Sequence, residues 1–357
     1  MIYGAYGFVG KEVSRLAKEK GLNLILAGRD KEKTQRLASK LHLDYAVFSL
    51  DDTKTLEFYA KEVNIILNCA GPFIETYRPI VQACIKFNTH YLDISGEIPV
   101  FQAIHDLDYE AKNQTSMLLP GIGFDVAPTD CIGLFLKENF KTGDKLTLAF
   151  RSEGPAGLPP GTIKTMVSLI PYGNWIRKNG ALVRPKKGIE TKSIKYYKES
   201  INSLRITWGD IFTAFYSTGI PNIEVYASFP KLIMMQMKFI EYFRPILSKP
   251  PIMKFMQKTL KGGSTNEERK NTVMWVYGEL SDPQGNKAIC RMKGPEGGLL
   301  WSSISAVYAL LNIEAGTYKV GYQTPASAFG SDFVSKMEGV DMEEIEYVWV
   351  ENISPKH

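Results

Sequence analysis

The chain opens MIYGAYGFVGKEV, and glycines at positions 4, 7 and 10 separate a three-residue apolar start from a stretch with helical spacing. Nothing else in the sequence constrains the fold as much. A strand, a glycine-rich turn and a helix bring free backbone amides to the helix N-terminus, where a diphosphate is stabilised. The spacing is G-x-x-G-x-x-G rather than the commoner G-x-G-x-x-G, so close helix–strand packing is an alternative reason for the glycines. Only Met1, Ile2 and Tyr3 precede Gly4, whereas strands usually run about 5 to 6 residues. Either this strand is short or the start lies upstream.

The pattern repeats along the first 125 residues. NLILAG (23–28), DYAVFSL (44–50), NIILNCAG (64–71), THYLDISG (89–96) and SMLLPGIG (116–123) are near-continuous apolar runs, as in parallel strands buried on both faces. Between them lie KEVSRLAKEKG, KEKTQRLASKLH, TLEFYAKEV, YRPIVQACIKFN and PVFQAIHDLDYEAKN, with apolar positions three and four apart. This alternation predicts an α/β, Rossmann-type doubly wound parallel sheet. After Pro128 the runs lengthen into KLTLAFRS (145–152), DIFTAFYSTGIPNIEVYASF (210–229) and NTVMWVYGEL (271–280). They predict a second α+β domain with a mostly antiparallel sheet. GPAGLPPG (154–161) and GALVRPKKG (180–188) read as loops, and GGLLWSSISAVYALLNI (297–313) returns to helical spacing. The expected domains are 1–130 and 131–295, with 296–357 packing back on the first. A chain of 357 residues fits two domains.

The second apolar run ends in Gly28, Arg29 and Asp30. At this place an acidic residue bonds the ribose hydroxyls of NAD, and an Arg accommodates the 2′-phosphate of NADP. Because Arg29 comes first and a guanidinium recognises phosphate bidentately, NADP(H) is the expected cofactor. Asp30 alternatively caps a helix starting at Lys31, with Arg29 an exposed loop residue.

YGAYGFVG (3–10), LAGRD (26–30), LNCAGPF (67–73), HYLDISGE (90–97), PGIGFDVAPTD (120–130), STGIPNIEVY (217–226) and YQTPASAFGSDFV (322–334) together resemble the saccharopine dehydrogenase-like oxidoreductases, including the trans-acting enoyl reductase branch. The resemblance implies an N-terminal Rossmann domain for NADP(H), a second domain over the nicotinamide, and hydride transfer with an organic substrate. In this reading Gly4, Ala5, Tyr6, Gly7, Phe8 and Val9 hold the diphosphate turn, Gly28 and Arg29 the 2′-phosphate, and Ala70, Gly71 and Pro72 the ribose side. Asp93, at the carboxyl edge of the sheet beside Glu97, joins the cofactor-binding set or else braces a loop. Asp125, Tyr77, Arg78 and Tyr91 are the candidates for orienting substrate or supplying the proton that accompanies hydride transfer; each has an alternative as a packing or loop residue.

Other chemistries lack support. No Tyr is followed four residues later by Lys, as a short-chain dehydrogenase site would need, and His42, His90, His105 and His357 form no ligand pair at helix spacing. Cys69, Cys84, Cys131 and Cys290 lie far apart, which suggests a reducing compartment. The apparent strand at Met1 leaves no room for a secretory signal, and no apolar run reaches the roughly 18 residues of a membrane span. A cytoplasmic chain is expected. The net charge of +5 is concentrated at residues 230–261, where seven basic residues face Glu241 alone among methionines and aromatics. No nucleic-acid-reading module accompanies them. Basic amphipathic helices of this kind lie on anionic membranes, which suits a lipid-like substrate carrying an enoyl or carbonyl group and a peripheral membrane location. Alternatively the segment covers the second domain or forms a homodimer contact. Two further readings stay open: a non-catalytic, lipid-associated NADPH-binding protein, and an amino-acid dehydrogenase, which would need basic residues facing the nicotinamide.

Overall fold

The computed structural model describes residues 1–157, 160–185, 189–260 and 262–350. Leu158 and Pro159 of the Gly/Pro-rich connection, Lys186, Lys187 and Gly188 of the second expected loop, and Lys261 at the end of the basic segment lie outside the described residues.

Six strands alternate with helices in the first part: β1 (Ile2–Tyr3), β2 (Ile25–Gly28), β3 (Asp44–Val47), β4 (Ile65–Asn68), β5 (His90–Asp93) and β6 (Met117–Leu119). The helices are α1 (Phe8–Glu19), α2 (Lys31–Leu41), α3 (Thr53–Glu62), α4 (Phe73–Lys86), α5 (Ile98–His105) and α6 (Asp108–Asn113). The strands pair in parallel in the order β6-β5-β4-β1-β2-β3, the doubly wound arrangement. Successive side chains point to opposite faces, and both faces are buried. Ile2, Leu26, Leu67, Leu92 and Leu119 enter one core, while Tyr3, Ile66, Tyr91 and Leu118 enter the other against Ile80, Val81 and Cys84 of α4. The third strand departs from the expectation: only Ala46 of β3 is buried, because the strand closes the sheet's edge. The stretch 99–113 forms two helices rather than one, interrupted at Asp106 and Leu107.

Helix α7 (Ala127–Asn139) leads into a ten-stranded mixed sheet. Its strands begin with β7 (Lys145–Glu153), β8 (Ile176–Lys178), β9 (Ala181–Val183), β10 (Thr191–Lys195), β11 (Ser200–Ile206), β12 (Asn222–Ser228), β13 (Val273–Ser281) and β14 (Lys287–Pro295). The pairings are antiparallel except β12 with β7. Part of the second expected loop is thus strand β9, hairpinned to β8. Between the strands run α8 (Pro160–Leu169), α9 (Asp210–Thr218), α10 (Lys231–Tyr242), α11 (Arg244–Leu247), α12 (Pro250–Thr259) and α13 (Asn266–Lys270). The stretch 210–229 is therefore not strand throughout. Its first half is α9, which docks on α7 and ends at Gly219 in the left-handed conformation (φ 70°) before β12 begins.

The chain then returns to the first sheet. Helix α14 (Ser302–Glu314) packs on α1, β15 (Gly321–Tyr322) adds a parallel edge strand beside β6, and α15 (Pro325–Phe329) packs on α7. Residues 341–348 go elsewhere: β16 (Asp341–Met342) and β17 (Glu346–Val348) both pair with β14 in the second sheet. One hydrophobic core joins Leu67 and Leu92 of the first sheet, Ile132 and Leu136 of α7, and Leu146, Val276 and Met292 of the second.

Candidate functional site at the carboxyl edge of the first sheet

The turn between β1 and α1 is built by contact distances that only glycine permits. Gly4 adopts φ 78°, and a Cβ there would lie 2.7 Å from the Ala70 nitrogen; one on Gly10 would lie 2.4 Å from the Gly4 carbonyl oxygen. Gly4 and Ala5 donate their amides to the Ala27 carbonyl (2.9 and 3.1 Å), and Gly7 donates to Gly4 (2.9 Å). The first intrahelical bond of α1 runs from Lys11 to Gly7, so the amides of Phe8, Val9 and Gly10 have no carbonyl partner within the helix. They stand at its positive end, and the first turn contains no acidic residue. A cradle that any Cβ would fill, ending in unpaired amides, fits a diphosphate.

The neighbouring turn, after β2, packs against the first. Gly28 is buried, and a Cβ on it would lie 2.5 Å from the ring of Tyr6, so the Tyr6 ring lies directly over this glycine. Asp30 caps α2: its Oδ1 accepts from Lys33 N (3.0 Å) and its Oδ2 pairs with Lys33 Nζ (2.7 Å). That use as a cap leaves Arg29, exposed and in no ion pair among the described residues, as the charged group at the strand's tip.

After β4, Ala70 packs against Gly4, and its amide donates to Asn68 Oδ1 (3.0 Å) while its carbonyl accepts from Thr76 Oγ1 (2.6 Å). Gly71 and Pro72 are exposed beside it. Asn68 Nδ2 reaches the Tyr91 hydroxyl (3.4 Å), Tyr91 donates to Asp93 Oδ2 (2.8 Å), and Asp93 Oδ1 accepts from Ser95 N, Ser95 Oγ and Gly121 N (2.9, 2.6 and 2.9 Å). Tyr91 and Asp93 are wholly buried. Their polar atoms bond each other and the loops after β5 and β6, as the loop-bracing alternative for Asp93 expects. Tyr77 is half-buried at the margin of the core under α4, and Arg78 is exposed on the same helix. No hydrogen bond or ion pair among the described residues joins either to Asp125.

A group that the sequence reading left out of its site residues stands beside Asp125. Glu97 is 5% exposed and follows Gly96, whose Cβ, if present, would lie 2.9 Å from Asp125 Oδ2. Burial, with Asp93 and Asp125 nearby, pushes the Glu97 carboxyl up to about 7, and burial pushes Asp125 up to about 6. Asp210, in α9, feels the same crowding. Its Oδ1 accepts from Thr129 (2.5 Å), its Oδ2 has no partner among the described residues, and its pKa lies well above the carboxylate range through burial. Trp208 donates its indole N–H to the Asp125 carbonyl (2.7 Å) and stacks near Phe150, which meets Phe124. The arrangement is an aromatic wall beside two carboxyls raised towards neutral pH, Glu97 about half protonated near pH 7 and Asp125 mostly ionised there. Its only sequence signal was the acid that ends SGE at a strand tip. Among the described residues, no group of three or more His, Cys, Asp or Glu side chains is placed to hold a metal ion.

Residues 1–119 match the family described as the saccharopine dehydrogenase NADP binding domain. The chain is 25% identical to a saccharopine dehydrogenase-like oxidoreductase of Mus musculus over 92% of both chains. It is 30% identical to a trans-acting enoyl reductase of Mycobacterium tuberculosis over 36% of this chain and 33% of that one. Among solved structures, apo saccharopine dehydrogenase (L-Glu forming) of Saccharomyces cerevisiae superposes with a TM-score of 0.65 at 12% identity, covering 98% of this chain and 99% of the other, which shows the same fold.

Proposed function

From residues 1–119 as an NADP-binding domain of the saccharopine dehydrogenase type, within an NAD(P)-binding oxidoreductase, we propose that this chain reduces an enoyl or carbonyl group of a lipid-like substrate with NADPH. The observation that carries the reading is the pair of raised-pKa carboxyls, Glu97 and Asp125, at the same sheet edge as the dinucleotide turn. When bound, the cofactor supplies hydride. The chain's own residues do the rest. The amides of Phe8, Val9 and Gly10 hold the diphosphate, and Arg29, with no competing carboxylate, pairs with the 2′-phosphate. Glu97, protonated up to about pH 7, delivers a proton to the developing negative charge, or takes one in the reverse direction. Asp125 keeps that proton on Glu97 by repulsion when it ionises.

Two observations favour an apolar substrate over an amino acid. The side chains around Glu97 and Asp125 are acids and aromatics, with no lysine or arginine among the described residues next to either to pair a substrate carboxylate. The helices α10 and α12 bury no residue, and they expose Leu232, Met235, Phe239, Tyr242 and Phe255 beside Lys231, Lys238, Lys254 and Lys258. Such a surface suits collection of substrate from an anionic membrane. No helix among the described residues is long and apolar enough to cross one. The reading is tested by following NADPH oxidation with a 2-enoyl thioester, a long-chain ketone, and 2-oxoglutarate plus an amino acid as alternative acceptors. Turnover with either of the first two supports it, and turnover confined to the third overturns it.

A further inference from the structure

Four arginines are buried among the described residues: Arg177, Arg205, Arg269 and Arg291. Three have ordinary partners. Arg205 pairs with Glu190 (2.9 Å) and Glu224 (3.4 Å), Arg291 pairs with Glu346 (2.8 Å) and Glu343 (3.4 Å), and Arg177 donates to the carbonyls of Ile211 (2.7 Å) and Gly180 (2.6 Å). Arg269, 6% exposed, has among the described residues only the Asn266 side-chain oxygen (3.1 Å) as hydrogen-bond acceptor, and no carboxylate. The acid beside it, Glu268, is spent on closing the cap of α13: it accepts from Thr265 N at 2.6 Å while Thr265 Oγ1 accepts from Glu268 N. A buried guanidinium with one neutral acceptor is costly unless an anion joins it.

The position of Arg269 says which anion. Although it belongs to the second domain, just before β13, its guanidinium lies 4.8 Å from the centroid of the Phe8 ring. Phe8 is the first residue of α1, and its amide is one of those left free at the diphosphate turn. A buried cation from the second domain thus stacks on the side chain that opens the helix whose first amides are free. Neither the cation nor the helix end has a negative partner among the described residues.

We propose that Arg269 is a diphosphate ligand reaching across from the second domain, so that NADP(H) is clamped between α1 and α13. This rests on the dinucleotide reading of the glycine turn. The two arginines then divide the recognition. Arg29 discriminates the 2′-phosphate, whereas Arg269 reads the diphosphate that NADPH and NADH share and ties cofactor occupancy to the position of the second sheet.

The test uses the full chain with Arg269→Gln and Arg269→Lys, titrated with NADPH, NADH, adenosine 2′-monophosphate and inorganic pyrophosphate, alongside thermal melting without ligand. Arg269→Gln is expected to weaken NADPH and NADH by the same factor, about 10- to 100-fold for a lost charged hydrogen-bond pair. It should also abolish competition by pyrophosphate and leave adenosine 2′-monophosphate unchanged; Arg269→Lys should recover part of the loss. Removing an unpaired buried charge should leave the unliganded melting temperature equal or higher, whereas a merely structural arginine predicts a drop. Unchanged affinity of Arg269→Gln for both dinucleotides overturns the proposal while leaving the cofactor reading intact. Failure of the wild-type chain to bind either dinucleotide overturns the cofactor reading instead, and binding of pyrophosphate that depends on Arg269 would then support an anion site standing alone.

Discussion

At the scale of single residues, the chemistry of this chain turns on which charges have been used up. Asp30 illustrates the point: in the sequence it competes with Arg29 for the ribose end of the cofactor, and in the structure it is consumed by Lys33. Arg29→Ala is accordingly expected to weaken NADPH by about 10-fold or more, the worth of a charged hydrogen bond, with little change for NADH; parallel titrations of the two check this, and equal losses would remove the assignment. Glu97 carries a pH prediction. Its folded pKa of about 7 lies above the ordinary 4.5, so between those values the folded chain holds a proton that the unfolded chain has released. Stability from this group is thus present below about pH 4.5 and lost as pH rises towards 7. Glu97→Gln removes the titration, so the variant should melt above the wild type at pH 8, with the gap closing as the pH is lowered. If Glu97 passes the proton, the same variant loses about 10²- to 10⁴-fold in turnover, and the wild-type rate falls as pH rises through about 7. A variant whose melting profile parallels the wild type across that range would show that Glu97 is not the titrating group. Asp93 and Tyr91 were legible as edge residues, but their burial and mutual bonding were not, because a period-2 run states which face a side chain takes and not what meets it there.

Elements were legible where periodicity and punctuation agree. Strands β1, β2, β4, β5 and β6 and their helices follow from apolar runs ended by glycine or an N-cap, since both faces of a parallel sheet need apolar cover. At 210–228 the same signals misled. Ile211, Phe212 and Phe215 suit a strand by residue type, yet α7 offers a helix-shaped surface and Gly219 a left-handed stop, so packing overrides propensity. The helices α10 and α12 present the converse case, elements whose existence is plain and whose cover is missing. Both have methionines and aromatics in view of solvent and basic residues interleaved with them. At about 1 kcal/mol per basic residue near anionic lipid, replacing Lys231, Lys238, Lys254 and Lys258 by Gln should strip most of the affinity for phosphatidylserine vesicles. Co-sedimentation at low and high salt measures it. Vesicle binding indifferent to both salt and the substitutions would reassign this surface to another contact.

For the whole molecule, the question is whether the two sheets are one folding unit. The glycine turn and the strand alternation disclose the first sheet from sequence, but the closing of the chain depends on contacts between distant segments, which local patterns do not encode. Asp130 is the clearest such contact. It lies fully buried in the first turn of α7, accepts from Ser217 Oγ of α9 (2.6 Å) and from the Ala326 amide of α15 (2.8 Å), and so holds three segments drawn from both halves of the chain. Around it α7 packs on β7, β13 and β14, and its apolar face joins the core that reaches under the first sheet. Asp130→Ala leaves the buried Ala326 amide without an acceptor and takes the shorter of two acceptors from the half-buried Ser217 hydroxyl, which keeps the Ala214 carbonyl (3.3 Å). The unpaired amide costs roughly 1–3 kcal/mol, so a loss on the order of 2 kcal/mol is expected. Because the strain falls on the helix shared by both sheets, unfolding in urea should stay a single transition with its midpoint lowered equally in tryptophan fluorescence, which reports Trp175, Trp208, Trp275, Trp301 and Trp349, all beyond the first six strands, and in far-UV circular dichroism, which reports both sheets. Two separated midpoints, with only the fluorescence transition displaced, would mean that the sheets unfold independently and that α7 belongs to the second alone.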